Sequence, residues 1–157
     1  MPVTFAFYVA KGTLTDRMVR AATGYAESHV EMLLASGVKK ANQCVSASKR
    51  DGQQVRTKSI EWNPDSWTFV TVDDHDAVDC MRRIWRHLGK PYDKIGAALT
   101  VTPFPRAIDS RWFCSELMAH GMRLEPEYHF TPGSFKDALI DMGGREYNPN
   151  LRMAKCV

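Results

Sequence analysis

Residues 110–117 read Ser110-Arg111-Trp112-Phe113-Cys114-Ser115-Glu116-Leu117, and from Cys114 onward small or apolar positions fall at Cys114, Leu117, Met118, Gly121 and Met122. That spacing is the stripe of a helix lying on a core. Asp109 and Ser110 stand just upstream as capping candidates. Cys114 is therefore expected in the first turn of a buried helix. Free backbone amides and the positive end of the helix dipole lie there, and both favour a thiolate over a thiol. The competing reading is a structural one, because cysteine is also a small, commonly buried hydrophobe.

Working outward, the flanking chain predicts an α+β fold. Residues 3–9 alternate as a strand, and Thr13 to Ala22 reads as a helix with Leu14, Met18, Val19 and Ala22 as its stripe. Residues 28–34 form a strand with two faces, Val30, Met32 and Leu34 against His29, Glu31 and Leu33. Asn42 to Ser48 is the next strand, with Cys44, Ser46 and Ser48 on one face; Arg50-Asp51-Gly52 signals a hairpin, Gln54 to Ile60 pairs back, and Trp67 to Val72 completes a meander. Asp73 and Asp74 introduce a helix of about four turns ending at Leu88-Gly89, with a stripe of Val78, Met81, Ile84, Trp85 and Leu88. A short helical piece and an irregular loop fill 94–109, a loop runs from Glu125 to Gly133, a last helix from Ser134 to Met142, and the tail is weakly patterned. The expectation is a single domain over residues 1–157, with an antiparallel sheet of about five strands and the Cys114 helix packed on it.

Composition narrows the function classes. Net charge is +3, a mild bias that does not imply nucleic acid. From Lys39 to Lys58 there are six basic residues against Asp51, with no interleaved aromatic, so the stretch reads as a solvated hairpin edge. Cys44, Cys80, Cys114 and Cys156 show no paired spacing and read as free thiols of a reducing compartment. His29, Glu31 and Cys44 or Cys114 supply zinc-ligand types, but no short-spaced ligand pair accompanies them, and no metal or organic cofactor is expected. No stretch approaches the length of a membrane span, and Met1 to Ala10 lacks a basic leader region. A cytoplasmic start is expected; any target in the cell wall would need delivery by other means.

A thiol nucleophile needs a base, a group that orients the base, and amides for the oxyanion. Of five histidines, His75, His87, His120 and His129 fall at a helix start, on a charged helix face, on the polar side of the Cys114 helix and in a loop. His29 is the histidine that lies in a strand, where a helix packed on the sheet can bring Cys114 to it. The orienting group is Glu31, about 6.5 Å along the strand and a long reach for direct contact, or Ser46 on the adjacent strand.

Four segments then carry a resemblance. They are Gly12-Thr13-Leu14 leading to Ser28-His29-Val30-Glu31, the turn Leu88-Gly89-Lys90-Pro91-Tyr92-Asp93, the helix start Phe113-Cys114-Ser115-Glu116-Leu117, and Thr131-Pro132-Gly133-Ser134-Phe135. Together, across residues 5 to 140, they resemble the circularly permuted branch of the papain-like NlpC-type amidases and peptidases, including YiiX-type proteins and more distantly the lecithin–retinol acyltransferase group. In that branch histidine precedes cysteine, as here. The resemblance implies a papain-like fold, Cys114 as nucleophile, His29 as base, and amide or ester hydrolysis or acyl transfer on cell-wall peptides or acylated lipids. The family's third group commonly sits on the strand after the histidine strand, which here offers Gln43, Cys44, Ser46 and Ser48. The reading that competes with catalysis is a papain-fold module using the same cleft to bind a peptide, lipid or protein partner.

Overall fold

The computed structural model describes residues 1–73, 76–94, 111–126 and 130–148. The element order is β1 (Val3–Tyr8), α1 (Leu14–Thr23), β2 (His29–Leu33), β3 (Ala41–Ser48), β4 (Gln54–Glu61), β5 (Trp67–Val72), α2 (Ala77–Trp85), α3 (Cys114–Met122), α4 (Pro132–Asp141) and β6 (Arg145–Tyr147). The fold is α+β, with one antiparallel sheet of six strands in the order β4-β3-β2-β1-β5-β6. β6 adds to the edge of β5 from the weakly patterned tail; three residues are too few to show alternation.

Alternation along the strands divides the sheet into two faces. Val3, Phe5, Phe7, Val30, Met32, Val45, Ala47, Val55, Val70 and Val72 build the main core. α2, α3 and α4 cover that face with Cys80 and Ile84, with Leu117 and Met118, and with Phe135 and Leu139. Phe135 meets Phe5 edge-on at 5.2 Å between ring centres. Two glycines allow this closeness. A Cβ on Gly121 would lie 2.7 Å from the Ile84 side chain, and one on Gly133 would lie 2.1 Å from the Tyr25 ring. The opposite face carries a smaller cluster of Ala6, Leu33, Cys44 and Phe69, flanked by Trp62, Trp67 and Tyr147.

Two helices differ from their predicted patterns. α1 buries Asp16, while Leu14 is 69% and Met18 63% exposed. Met18, Val19 and Ala22 line a cleft instead of entering the core. Asp16 is held inside by the Thr13 amide and hydroxyl, each at 2.7 Å, by the Ser28 hydroxyl at 3.0 Å, and by Arg50. α2 starts after Asp76, whose carboxylate accepts from the amides of Val78 and Asp79, and it ends at Trp85. Its buried positions are Cys80 and Ile84, whereas Val78 and Trp85 are exposed. Asp74 and the expected loop over 95–109 lie outside the described residues.

The turn at 88–93 has a specific structural task. Lys90 accepts from the Val55 amide, the Tyr92 amide donates to Gln53, and Tyr92 bridges in parallel to Trp112. The Trp112 amide donates to the Pro91 carbonyl at 3.0 Å, and the Asp93 amide to the Trp112 carbonyl at 2.9 Å. The end of β4 thereby fixes the chain two residues before Cys114.

Candidate active site

Cys114 is the first residue of α3, and the N-cap is Phe113 in extended conformation. Asp109 and Ser110, the sequence-level capping candidates, lie outside the described residues. Glu116 reaches back to accept from the Phe113 amide at 3.2 Å, and the first helical bond runs from the Leu117 amide to the Phe113 carbonyl. The amides of Cys114, Ser115 and Glu116 consequently have no acceptor within the helix. Ser115, fully buried, donates its hydroxyl to the Phe130 carbonyl at 2.6 Å and ties α3 to the chain entering α4.

His29 is the first residue of β2, paired with Tyr8 at the end of the β1–β2 ladder. Alternation puts its side chain on the face away from Val30 and Met32, so ring and thiol meet past the end of the sheet. The Cys114 sulfur lies near enough to the ring to favour its charged form. Its Nε2 bonds Glu31 Oε1 at 2.8 Å, which leaves Nδ1 for the thiol. The direct contact with Glu31 corrects the sequence-level estimate that the carboxylate stands too far away. Two long side chains leaning together on one strand face close the gap between their Cα positions. Burial opposes charge on His29, but the Cys114 sulfur and the Glu31 carboxylate outweigh it and raise the imidazole to about 10.

Glu31 is almost completely buried, at 1% exposure. Burial alone would make it neutral. The Arg56 guanidinium grips it with two bonds, Nη1 to Oε2 at 2.8 Å and Nη2 to Oε1 at 2.7 Å, and together with His29 holds the carboxyl below its usual range. Arg56 is bonded in turn by Asp51, from Nε at 3.1 Å and Nη2 at 2.8 Å, and Lys58 adds a further bond to Asp51 at 2.9 Å. The charges alternate from His29 through Glu31 and Arg56 to Asp51.

Ser46 does something other than orient the imidazole. Its buried hydroxyl donates to the Val30 carbonyl at 2.7 Å. Met32 pairs with Val45 and Leu33 with Cys44, and one further step along that register sets Ser46 opposite Glu31; Ser46 in turn pairs with Arg56 on β4. Glu31, Ser46 and Arg56 thus form a row across three strands, about 9.6 Å from end to end. The small residue in the middle leaves the path along which Arg56 reaches Glu31. Sequence reading placed Arg56 in a solvated basic edge. The available signal was the hairpin at Asp51-Gly52, which fixes Arg56 on the same face as Ser46.

Two continuous hollows meet at this site. One, of about 380 Å3, contains Cys114 with Met18, Val19, Ala22, Phe113 and Pro132. The other, of about 530 Å3, contains His29 and Glu31 with Asp16, Arg50, Lys58 and Trp67. Tyr92, Val19, Ser28 and Lys49 border both. The Tyr92 phenol is pushed upward by burial and by the neighbouring Cys114 and Asp93.

The other histidines and thiols serve elsewhere. His87 and His120 face each other at 3.2 Å between Nε2 atoms and stack on Trp112. Burial, with Lys90 and His120 close by, lowers His87 to about 4, so it stays neutral. His75, His129 and Cys156 lie outside the described residues. Burial pushes the Cys44 and Cys80 thiols up to about 12. Among the described residues no cluster of three His, Cys, Asp or Glu side chains is arranged to hold a metal ion, and no helix is long and apolar enough to cross a membrane.

No protein-family model matches the chain, and no curated protein matches it in sequence.

Proposed function

We propose that the protein is a thiol-dependent hydrolase or acyltransferase that cleaves an amide or ester bond through a Cys114–His29–Glu31 site. The observation that carries this reading is the placing of the Cys114 sulfur beside the His29 ring, whose Nε2 is hydrogen-bonded to a charged, clamped Glu31. The four sequence segments and the order of His29 before Cys114 support a permuted papain-like relationship. The turn that ties Tyr92 to Trp112 and the helix start at Cys114 are consistent with it.

In the proposed reaction the Cys114 sulfur attacks the carbonyl carbon and the oxygen becomes an oxyanion. The Cys114 amide, free of any helical acceptor, is positioned to donate to it. Collapse breaks the bond to the leaving group, which takes its proton from His29. The acyl group is left on sulfur as a thioester. Acylation removes the negative sulfur that raises the imidazole, so His29 becomes a neutral base. It then takes a proton from water, or from an acceptor alcohol or amine, as that nucleophile attacks the thioester. The product acid, ester or amide leaves and the thiolate re-forms beside the imidazolium.

The two hollows suit the two halves of the substrate. The acyl group ends on sulfur and belongs to the apolar hollow of Met18, Val19, Ala22, Phe113 and Pro132. The leaving group is protonated by His29 and belongs to the polar one. Peptides and acylated lipids both fit that description.

Trapping the acyl-enzyme tests the proposal. Treatment with p-nitrophenyl acetate followed by peptide mass mapping is expected to show an acetyl group on Cys114 and a burst of nitrophenolate, both lost in His29→Ala. Acetylation spread over lysines with no preference for Cys114 would refute catalysis and leave the cleft as a binding site for a peptide, lipid or protein.

A further inference from the structure

We infer that Arg56 is a positioning residue that keeps the Cys114–His29 pair in its reactive charge state by acting through Glu31, with Asp51 holding Arg56 in place. The inference rests on the thiol-hydrolase reading of the site and extends it to a residue on β4 that touches neither thiol nor imidazole.

The geometry is specific. Arg56 is 9% exposed and Glu31 1%, so the pair is shielded from water and from salt. The guanidinium bonds both carboxylate oxygens, which fixes the plane of the carboxylate and points Oε1 at His29 Nε2. A lysine would supply charge without that fork. Asp51, on the hairpin that follows β3, accepts from Arg56 Nε and from Nη2, the nitrogen that also bonds Glu31, and limits the alternatives of the guanidinium.

Charge counting gives the consequence. In the ion-pair form that the proposed reaction uses, thiolate, imidazolium, the Glu31 carboxylate and the Arg56 guanidinium sum to zero. Without Arg56, two anions face one cation in a buried setting. The site then relieves the imbalance by taking up a proton, on sulfur or on Glu31, and the reactive pair is lost. The other charged or titratable groups around it do not replace Arg56: Lys49 and Lys94 border the Cys114 hollow as exposed side chains, where water and salt screen them. Arg50 is engaged by Asp16, Lys58 by Asp51, and Cys44 on β3 is a buried thiol. Tyr8 and Tyr92 border the hollow, with the Tyr92 phenol pushed upward by burial, and Glu116 on α3 accepts from the Phe113 amide.

The test compares wild type with Arg56→Lys, Arg56→Met, Glu31→Gln and the double variant Arg56→Met/Glu31→Gln. The first readout is the rate of Cys114 alkylation by iodoacetamide at pH 7 and pH 10. Arg56→Met is expected to lose about tenfold at pH 7, the change that one unit of pKa represents, and to come within about twofold of wild type at pH 10, where every accessible thiol is ionised. Arg56→Lys should fall between the two. The double variant, in which both buried charges are gone, should recover most of the loss at pH 7. That recovery is the signature of action through Glu31, and a merely structural role would instead lower the rate at both pH values or add the two losses. The second readout is the proton resonance of His29 Nε2–H, expected downfield in wild type and displaced in Arg56→Met. If Arg56→Met does not fold, the charge-neutral double variant and Arg56→Lys carry the comparison. An unchanged pH 7 rate and an unchanged His29 resonance in Arg56→Met would overturn the inference. Wild-type alkylation that is indifferent to His29→Ala would instead overturn the hydrolase reading, while the His29 resonance would still report whether Arg56 orders the ring.

Discussion

At the residue scale, His29 concentrates the chemistry. It sits between a sulfur and a carboxylate, and both favour its charged form against the cost of burial. The expected titration follows from that sign. The imidazole stays protonated through neutral pH and releases its proton near pH 10. Removing the sulfur removes the first of the favourable contributions, so Cys114→Ala should lower the midpoint. NMR titration of the His29 ring checks this. A wild-type midpoint near the ordinary histidine value of about 6.5, unchanged in Cys114→Ala, would show that thiol and ring do not interact. The places of Cys114 at a helix start and of His29 in a strand make their proximity possible, and the resemblance, more than the pattern, singles the two out. The contact of His29 with Glu31 was undervalued, because Cα spacing along a strand says little about where long side chains end. Arg56 was missed for a related reason. A basic run looks like a solvated face until the register shows which of its members points inward.

At the element scale, the strands were read well and the helices less so. Period-two alternation survives because each of β1 to β5 turns apolar residues of one face into the main core. The apolar stripe of α1 splits: Leu14 and Met18 are exposed, and Met18, Val19 and Ala22 line the thiol hollow. Pattern alone cannot separate a helix that packs on the core from one that walls a cleft. The row Glu31–Ser46–Arg56 gives this scale its prediction. Enlarging the middle residue blocks the path of the guanidinium. Ser46→Leu should slow Cys114 alkylation at pH 7 by about tenfold and reduce stability by about 1–3 kcal/mol through overpacking. Stability is measured by urea unfolding. A Ser46→Leu variant that loses stability but keeps the wild-type rate would show that the row does not matter to the site.

At the scale of the whole molecule, the sheet organises the site from its end. α3 brings the thiol from the helical side, β2 brings the imidazole from the open side, and β4 supplies the clamp and, through the turn at Tyr92, the anchor for Trp112. Residues from both halves of the chain are therefore needed at one point, and their juxtaposition is a property of the sheet order. The most direct measurement is the rate of iodoacetamide alkylation of each cysteine against pH, mapped by mass, in wild type and His29→Ala. Cys44 and Cys80, buried and with thiols pushed up to about 12, are internal controls. The account predicts that at pH 6.5 Cys114 reacts at least about tenfold faster in wild type than in His29→Ala, with the controls silent in both. A Cys114 that reacts no faster than Cys44 or Cys80, and is indifferent to His29→Ala, would contradict it.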